Sequence, residues 1–431
     1  MVYSKSKLDD ANAHFEELVT LPCNMADLPS NPSTINAGCN SDWKQRITEL
    51  VSGQIWPDSI ASVAEKVAKG IRLDFDDGII LYNSPDLDAI GHLANLSKQS
   101  RFGMFAFFNM NVHINQTNIC TLACKFCAFR RGQKSADAYQ LDATSYMEEL
   151  EKYSSIVDEV HSVGGLHPEW KLDYYQDLFS RIRAKWPHIH IKALTAVEIM
   201  HISKLSNISI HETLVALKSA GLGSLPGGGA EILDDNVREI ICKGKESSEE
   251  YLQIHRTAHK IGIPTNCTML FGTIESIDQR LNHFLKLRNL QDETSGYQCF
   301  VPYPFLPDKS RLPEAQLASG SEILRTIAIS RLMLDNIPHI KAYRMNIGDS
   351  LSEMALQYGA DDIDGTVHKE SIMHLAGSTT PLDSNISGLV KLVNNSGSIP
   401  VRRNSIYTYF EKYIEEPKAK TRKLKMAQEV I

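Results

Sequence analysis

The residues best suited to chemistry in this sequence are three cysteines in the run Cys120-Thr-Leu-Ala-Cys124-Lys-Phe126-Cys127, spaced CxxxCxxC. Thiolates bind soft metals, and a structural zinc site wants four such ligands, usually as two close pairs. Here no fourth ligand stands nearby and no second pair appears. Three thiolates suit a cubane iron–sulfur cluster with one iron left open, because such clusters are ordinarily held by four cysteines. An open metal position can take a chelating reactant. Cys242, Cys267 and Cys299 are isolated in or beside apolar helices and strands and read as small buried hydrophobes.

A cysteine loop needs elements that hold it. From about Phe105 the chain alternates short apolar runs with helical periods. The pattern predicts strands near 105–112, 156–163, 188–194, 221–225, 263–270, 296–302 and 338–343. Helices fall between them, roughly over 143–153, 171–185, 209–219, 233–242, 247–261, 276–290 and 319–335. Ser247 and Glu250 have capping-box spacing before an apolar face of Tyr251, Leu252, Ile254 and Ala258. Strands separated by helices of this length pair in parallel through right-handed crossovers, so the expected fold class is an α/β TIM-type barrel. Six units are clear and the total is nearer eight. The run ADDID near 360–367 is polar for a last strand.

Barrel chemistry sits at the C-terminal ends of the strands, and four unusual segments fall there. The cysteines follow the first strand, Gly164-Gly165 the second, Thr195 to Glu198 the third and Pro226-Gly-Gly-Gly-Ala-Glu231 the fourth. Gly164-Gly165 carries no side chain to block a ligand, or is a simple tight turn. Glu198 suits a ligand's hydroxyls, or is an acid at a helix N-terminus. Phe126 meets a ligand or packs beneath the loop. Gly228, within the glycine run, lets backbone approach a ligand, and no GK[ST] follows to make a phosphate loop. His255 and His259 stand four apart, but Arg256 occupies the place where HExxH has Glu, and they read as packing histidines.

The organisation expected is an irregular N-terminal extension over 1–56, a helical lead-in over 57–104, a barrel with a C-terminal substrate-capping region over 105–410, and a basic tail over 411–431. Within the first two stretches, 42–53 and 58–70 have amphipathic helical patterns, the second ending at Gly70. The 431 residues carry 45 Lys+Arg against 52 Asp+Glu, a net charge of −7, with 42% hydrophobic residues. That balance excludes disorder and argues against nucleic-acid binding. No apolar run is long enough to span a bilayer, and the N-terminus lacks the apolar core of a secretory signal. A cytoplasmic protein with reduced thiols is the expectation.

Three cysteines at this spacing, with an aromatic residue before the third, resemble the radical S-adenosylmethionine superfamily. The resemblance implies a [4Fe-4S] cluster on Cys120, Cys124 and Cys127, with S-adenosylmethionine bound through its amino and carboxylate groups at the open iron. An external one-electron donor of flavodoxin or ferredoxin type would drive cleavage to methionine and a 5′-deoxyadenosyl radical. The same resemblance assigns Gly164 and Gly165 to the methionine end, and implies an adenine contact for Phe126 and the ribose hydroxyls for Glu198.

Longer segments resemble one subgroup. HINQTNICTLACKFCAFRR, VGGLHPEW, KALTAVEI, SLPGGGAEI, HRTAHKIGIPTNCTMLFG, GADDIDGTVHKE and PVRRNSIY are similar to the aminofutalosine synthases of the futalosine route to menaquinone. This implies addition of the adenosyl radical to the enol ether of 3-[(1-carboxyvinyl)oxy]benzoate, giving 6-amino-6-deoxyfutalosine with loss of a carboxyl group. Two carboxylates on that substrate call for cationic partners, and the candidates are His167, Arg344 and Arg403. The chain has Thr273 where the subgroup usually has His, a position expected to face the site. Two further readings stay open: a sibling such as cyclic dehypoxanthine futalosine synthase or an FO synthase-type enzyme, and a metal-binding protein without catalysis.

Overall fold

The computed structural model describes residues 38–382 and 384–413; residues 1–37 and the basic tail beyond 413 lie outside the described residues. The first strand runs as β1 (Phe105–Asn109) and β2 (Asn111–His113), interrupted at Met110. Then come β3 (Glu159–Ser162), β4 (His190–Ala193), β5 (Leu222–Ser224), β6 (Thr265–Phe271), β7 (Tyr297–Pro304), β8 (His339–Ile340) and β9 (Asp362–Gly365). Every pairing among them is parallel. Single parallel bridges, Leu225 to Thr265 and Lys341 to Asp362, join β5 to β6 and β8 to β9. Because β9 also pairs with β1, the pairings return to their start and close a barrel.

The helices begin where the sequence supplies caps. Ser247–Glu250 forms the expected capping box, and Thr195–Glu198, Ser209–Glu212 and Ser276–Gln279 form others. The helix Ala196–Ser206 was foreshadowed only by the reading of Glu198 as a helix N-terminal acid: Asn207, in the left-handed conformation at φ 53°, divides it from the expected Ile210–Ala220. Helices Trp43–Ser52 and Ala61–Ala68 occupy the two amphipathic stretches, with Gly70 just beyond the second at φ 65°. Helix Leu87–Phe102 leads into β1. Among the described residues no helix is long and apolar enough to cross a membrane.

The polar run does form the last stave of the barrel. All four residues of β9 are buried, because their carboxylates face cations inside the barrel. Asp362 pairs with Arg403 at 2.7 Å and Asp364 with Lys341 at 2.5 Å. Arg403 comes from β10 (Ile399–Arg403), a strand that periodicity missed. It pairs in parallel with β1 and carries the antiparallel β11 (Phe410–Lys412). Beyond Met110, β3 replaces β10 beside the first strand.

Candidate functional site

The cysteine loop follows β2 and is tied to four separate segments. Cys120 N donates to Arg131 O at 3.0 Å, Thr121 N to Leu166 O at 3.0 Å and Lys125 N to Ile241 O at 2.8 Å. Arg311 clamps the outer side, its backbone N donating to Lys125 O at 2.7 Å and its Nη2 to Ala123 O at 2.8 Å. Cys124 is buried, while Cys120 and Cys127 are partly exposed. Burial pushes the Cys124 thiol up to about 12 and raises that of Cys127, while the Lys245 ammonium works against both shifts. The Cys127 thiol feels that of Cys120, and the Cys124 thiol that of Cys127, so the three are electrostatic neighbours. Metal binding must therefore displace protons.

The donor set fits a cluster. Among the described residues no three His, Cys, Asp or Glu side chains gather tightly enough for a single ion. Three thiols on one loop, each within the field of another, are the soft donors that a multi-iron group takes.

The loop opens onto a cavity of about 230 Å³. Phe126 and Cys127 form its cluster side; Thr195, Gly228 and Glu231 enter from the loops after β4 and β5. His113, His161, Tyr303 and Tyr343 form the strand side, Asn346 and Glu370 follow the last staves, and Leu270, Phe305 and Ile372 supply apolar wall. The cavity thus lies at the C-terminal ends of the barrel strands, where the fold builds active sites. Beneath it His161, Tyr303 and Tyr343 also border a small void with Lys192, Lys341 and Asp364. Lys192 is buried and pairs with Glu159 at 2.9 Å. Burial holds the His161 imidazole well below its ordinary value, so it is neutral. These residues were missed because partners such as Lys192 and Glu159 lie on different strands, and no spacing in the sequence joins them.

The structure brings Phe126, Cys127 and Gly228 to the cavity and places the other candidates elsewhere. The bareness of Gly164-Gly165 serves the protein's own packing. A Cβ on Gly165 would stand 2.1 Å from Ile119 O, and one on Gly164 2.8 Å from the Gln116 amide. Both glycines therefore seat the segment Gln116 to Ile119 that leads from β2 to the cysteines. G165A is expected to cost about 1–3 kcal/mol through overpacking and to lower the iron bound per chain. Denaturant unfolding and iron analysis check this; parent values for both would show slack in the contact.

Glu198 braces the same junction. Its Oε1 accepts from Gly164 N at 3.0 Å and Gln116 Nε2 at 2.9 Å, and its Oε2 from Thr195 N at 2.8 Å and Thr195 Oγ1 at 2.7 Å. It is the helix N-terminal acid rather than a cavity-lining residue. Burial raises its carboxyl to about 7, against those four donors. A carboxyl raised on folding contributes stability at low pH that is lost as pH rises toward about 7. The stability of the parent relative to E198Q is therefore expected to fall between about pH 5 and 7, read from urea midpoints. A pH-independent difference would contradict it.

None of the three carboxylate-binding candidates lines the cavity. His167 Nε2 donates to Gln140 Oε1 at 2.7 Å, and its ring stacks on Trp170 at 4.3 Å. Arg403 is committed to Asp362 inside the barrel. Arg344 is buried and directed to Asp349 at 3.1 Å, although its neighbours Tyr343 and Asn346 reach the cavity. Thr273 does not face the site: its Oγ1 donates to Glu275 Oε2 at 2.6 Å, and Glu275 in turn pairs with Arg280. His255 and His259 both meet Thr265 Oγ1, at 2.9 and 2.8 Å, as packing residues.

Residues 114–287 match the family model of the radical SAM superfamily, and residues 294–416 that of the CofH/MqnC C-terminal region. An aminodeoxyfutalosine synthase of Thermus thermophilus is 42% identical over 350 residues, which are 80% of this chain and 94% of that protein. A cyclic dehypoxanthine futalosine synthase of Streptomyces coelicolor is 32% identical over 354 residues, 80% of this chain and 88% of the relative. The crystal structure of methylornithine synthase (PylB) superposes with a TM-score of 0.63 at 18% identity, covering 78% of this chain and 96% of that one. That likeness extends to the barrel fold.

Proposed function

Since the chain belongs to the aminodeoxyfutalosine synthase family of radical SAM enzymes, we propose that its substrate is 3-[(1-carboxyvinyl)oxy]benzoate. The reaction adds the adenosyl group of S-adenosylmethionine to the enol ether, yielding 6-amino-6-deoxyfutalosine with loss of a carboxyl group and release of methionine. The observation that carries the reading is the three-thiol loop opening directly onto a cavity with apolar walls at the barrel's C-terminal end.

A [4Fe-4S] cluster on Cys120, Cys124 and Cys127 supplies, when bound, the electron that cleaves the sulfonium. The electron comes from an external donor of flavodoxin or ferredoxin type. The chain's own residues orient the reactants and keep water out. Phe126 and the backbone at Gly228 border the space beside the cluster side, where the adenosyl group belongs. Leu270, Phe305 and Ile372 exclude water from the reacting carbon. Carboxylate recognition passes from His167, Arg344 and Arg403 to groups that reach the cavity. Tyr303 and Tyr343 can donate hydrogen bonds, and neutral His161 can donate one from a ring N–H. The product supports menaquinone synthesis by the futalosine route.

The experiment offers the reduced, reconstituted enzyme S-adenosylmethionine and each substrate separately: the enol-ether benzoate, dehypoxanthine futalosine, and tyrosine with the pyrimidine acceptor of the FO synthase-type reaction. Mass spectrometry should show consumption of the benzoate alone. Turnover of either other substrate with the benzoate untouched would transfer the assignment to a sibling reaction.

A further inference from the structure

The loop after helix Asp235–Ile241 carries a lysine inward beside the cysteine loop. The Lys245 side chain is only 9% exposed, and its Nζ lies 2.5 Å from Oε1 of Glu231, itself 13% exposed. The same Nζ stands 5.6 Å from the centre of the Phe126 ring, on the residue before Cys127. The two loops are joined directly: Lys125 N donates to Ile241 O at 2.8 Å, and Leu122 Cδ2 packs 3.3 Å from the Cβ position of Gly244. The ammonium is thus held against the loop bearing Cys124 and Cys127, with its charge partner at the cavity wall.

Glu231 reaches this position at a conformational cost. Its φ is 46°, in the left-handed region that residues other than glycine seldom adopt, and its carbonyl is fixed by Leu270 N at 2.9 Å. Strain held by the surrounding structure points to function. Burying an ammonium is costly even when it is paired, so a stabilising role alone explains the pair poorly. Its position explains it better. A cluster gains one negative charge when an external reductant delivers one electron, with no bond made or broken and no proton required. A fixed cation beside it favours the reduced form, and a fixed anion disfavours it.

We propose that the Lys245–Glu231 pair sets the reduction potential of the cluster held by Cys120, Cys124 and Cys127, with Lys245 raising it and Glu231 lowering it. This rests on the cluster assignment under Proposed function. Both are positioning residues in this account, acting through the field at the cluster.

The test is a redox titration of the full-length, iron- and sulfide-reconstituted protein without S-adenosylmethionine. Dithionite supplies electrons, and the electron paramagnetic resonance signal of the reduced cluster is followed. At a fixed potential K245M should show about tenfold less reduced cluster relative to oxidised, or about 59 mV in midpoint for one electron. K245R should keep the parent midpoint, and E231Q should move it in the positive direction. Opposite signs are the expected signature, since a merely structural pair would not give them. Shifts of the same sign, or a K245M cluster at the parent midpoint, would overturn the proposal. Should K245M fail to assemble a cluster, E231Q decides, and an unmoved midpoint there is equally fatal. Iron and sulfide analysis separates the two levels: a parent protein without labile sulfide would overturn the cluster assignment itself.

Discussion

C124A is expected to bind no [4Fe-4S] cluster and to cleave no S-adenosylmethionine. Cys124 is the buried member of the triad, and its backbone is anchored from outside by Arg311 Nη2 donating to Cys124 O at 3.3 Å. Those anchors do not involve the thiol. The variant should therefore fold while losing one of three cluster ligands, and two thiolates leave the cubane short of the cysteine ligands it needs. Circular dichroism should match the parent, while iron, labile sulfide and methionine release fall to background. C267A is the control: Cys267 is buried in β6, with its Sγ toward Cys299 O at 3.7 Å, far from the triad in role. It should keep its cluster. Retained sulfide and methionine release in C124A would refute the assignment of the cysteines.

D362A is expected to lose about 3–5 kcal/mol of stability, the usual result of breaking a buried pair by removing one partner. Asp362 is fully buried and its Oδ2 accepts from Arg403 Nε at 2.7 Å and Tyr407 Oη at 2.8 Å. Lys341 lies 3.6 Å from its Oδ1. Alanine would leave the guanidinium without its carboxylate in the barrel wall and three hydrogen-bond donors unmet, the third being Asp364 N, which donates to Asp362 Oδ1 at 2.8 Å. These cations hold the Asp362 carboxyl below its ordinary value despite burial. Its contribution is therefore present above the ordinary carboxylate pKa and lost as pH falls through the depressed value. D362A should accordingly show a flatter acid limb in unfolding midpoint against pH. A loss below about 1 kcal/mol would mean that the pair contributes no more than an exposed one.

The same aspartate shows where sequence reading failed. Short apolar runs between helical periods located seven strands well, because most staves bury Val, Ile, Leu or Phe. β9 breaks the pattern with Asp362 and Asp364, and their partners Arg403 and Lys341 are 41 and 23 residues away. Hydropathy cannot reveal a buried charge whose compensation comes from another strand. β10 escaped for a related reason, since its Pro400 and two arginines hide a buried parallel partner of β1.

The site divides along similar lines. The cysteine triad was legible because ligand spacing is local, and Gly228 because a glycine run after a strand marks close approach. Arg344 was chosen as a cation following the seventh strand and Arg403 as one in the PVRRNSIY segment. The structure commits Arg403 to Asp362 and turns Arg344 outward to Asp349, with its buried Nε and Nη2 unpartnered among the described residues and away from the cavity lining. The cavity's polar groups, His113, His161 and Tyr303 on three different staves and Tyr343 just beyond β8, are brought together only by the closed barrel. Thr273 was expected at the site because it follows β6, but the turn at Gly272, with φ 82°, sends its hydroxyl to Glu275.

The most direct test of the central claim follows the adenosyl group. The reconstituted, reduced enzyme would be given S-adenosylmethionine labelled in its adenosyl carbons together with 3-[(1-carboxyvinyl)oxy]benzoate, and the label traced by chromatography and mass spectrometry. Radical addition predicts label in a single adduct of the mass of 6-amino-6-deoxyfutalosine, formed in equal amount to methionine. Label recovered only in 5′-deoxyadenosine, with the benzoate unchanged, would contradict it.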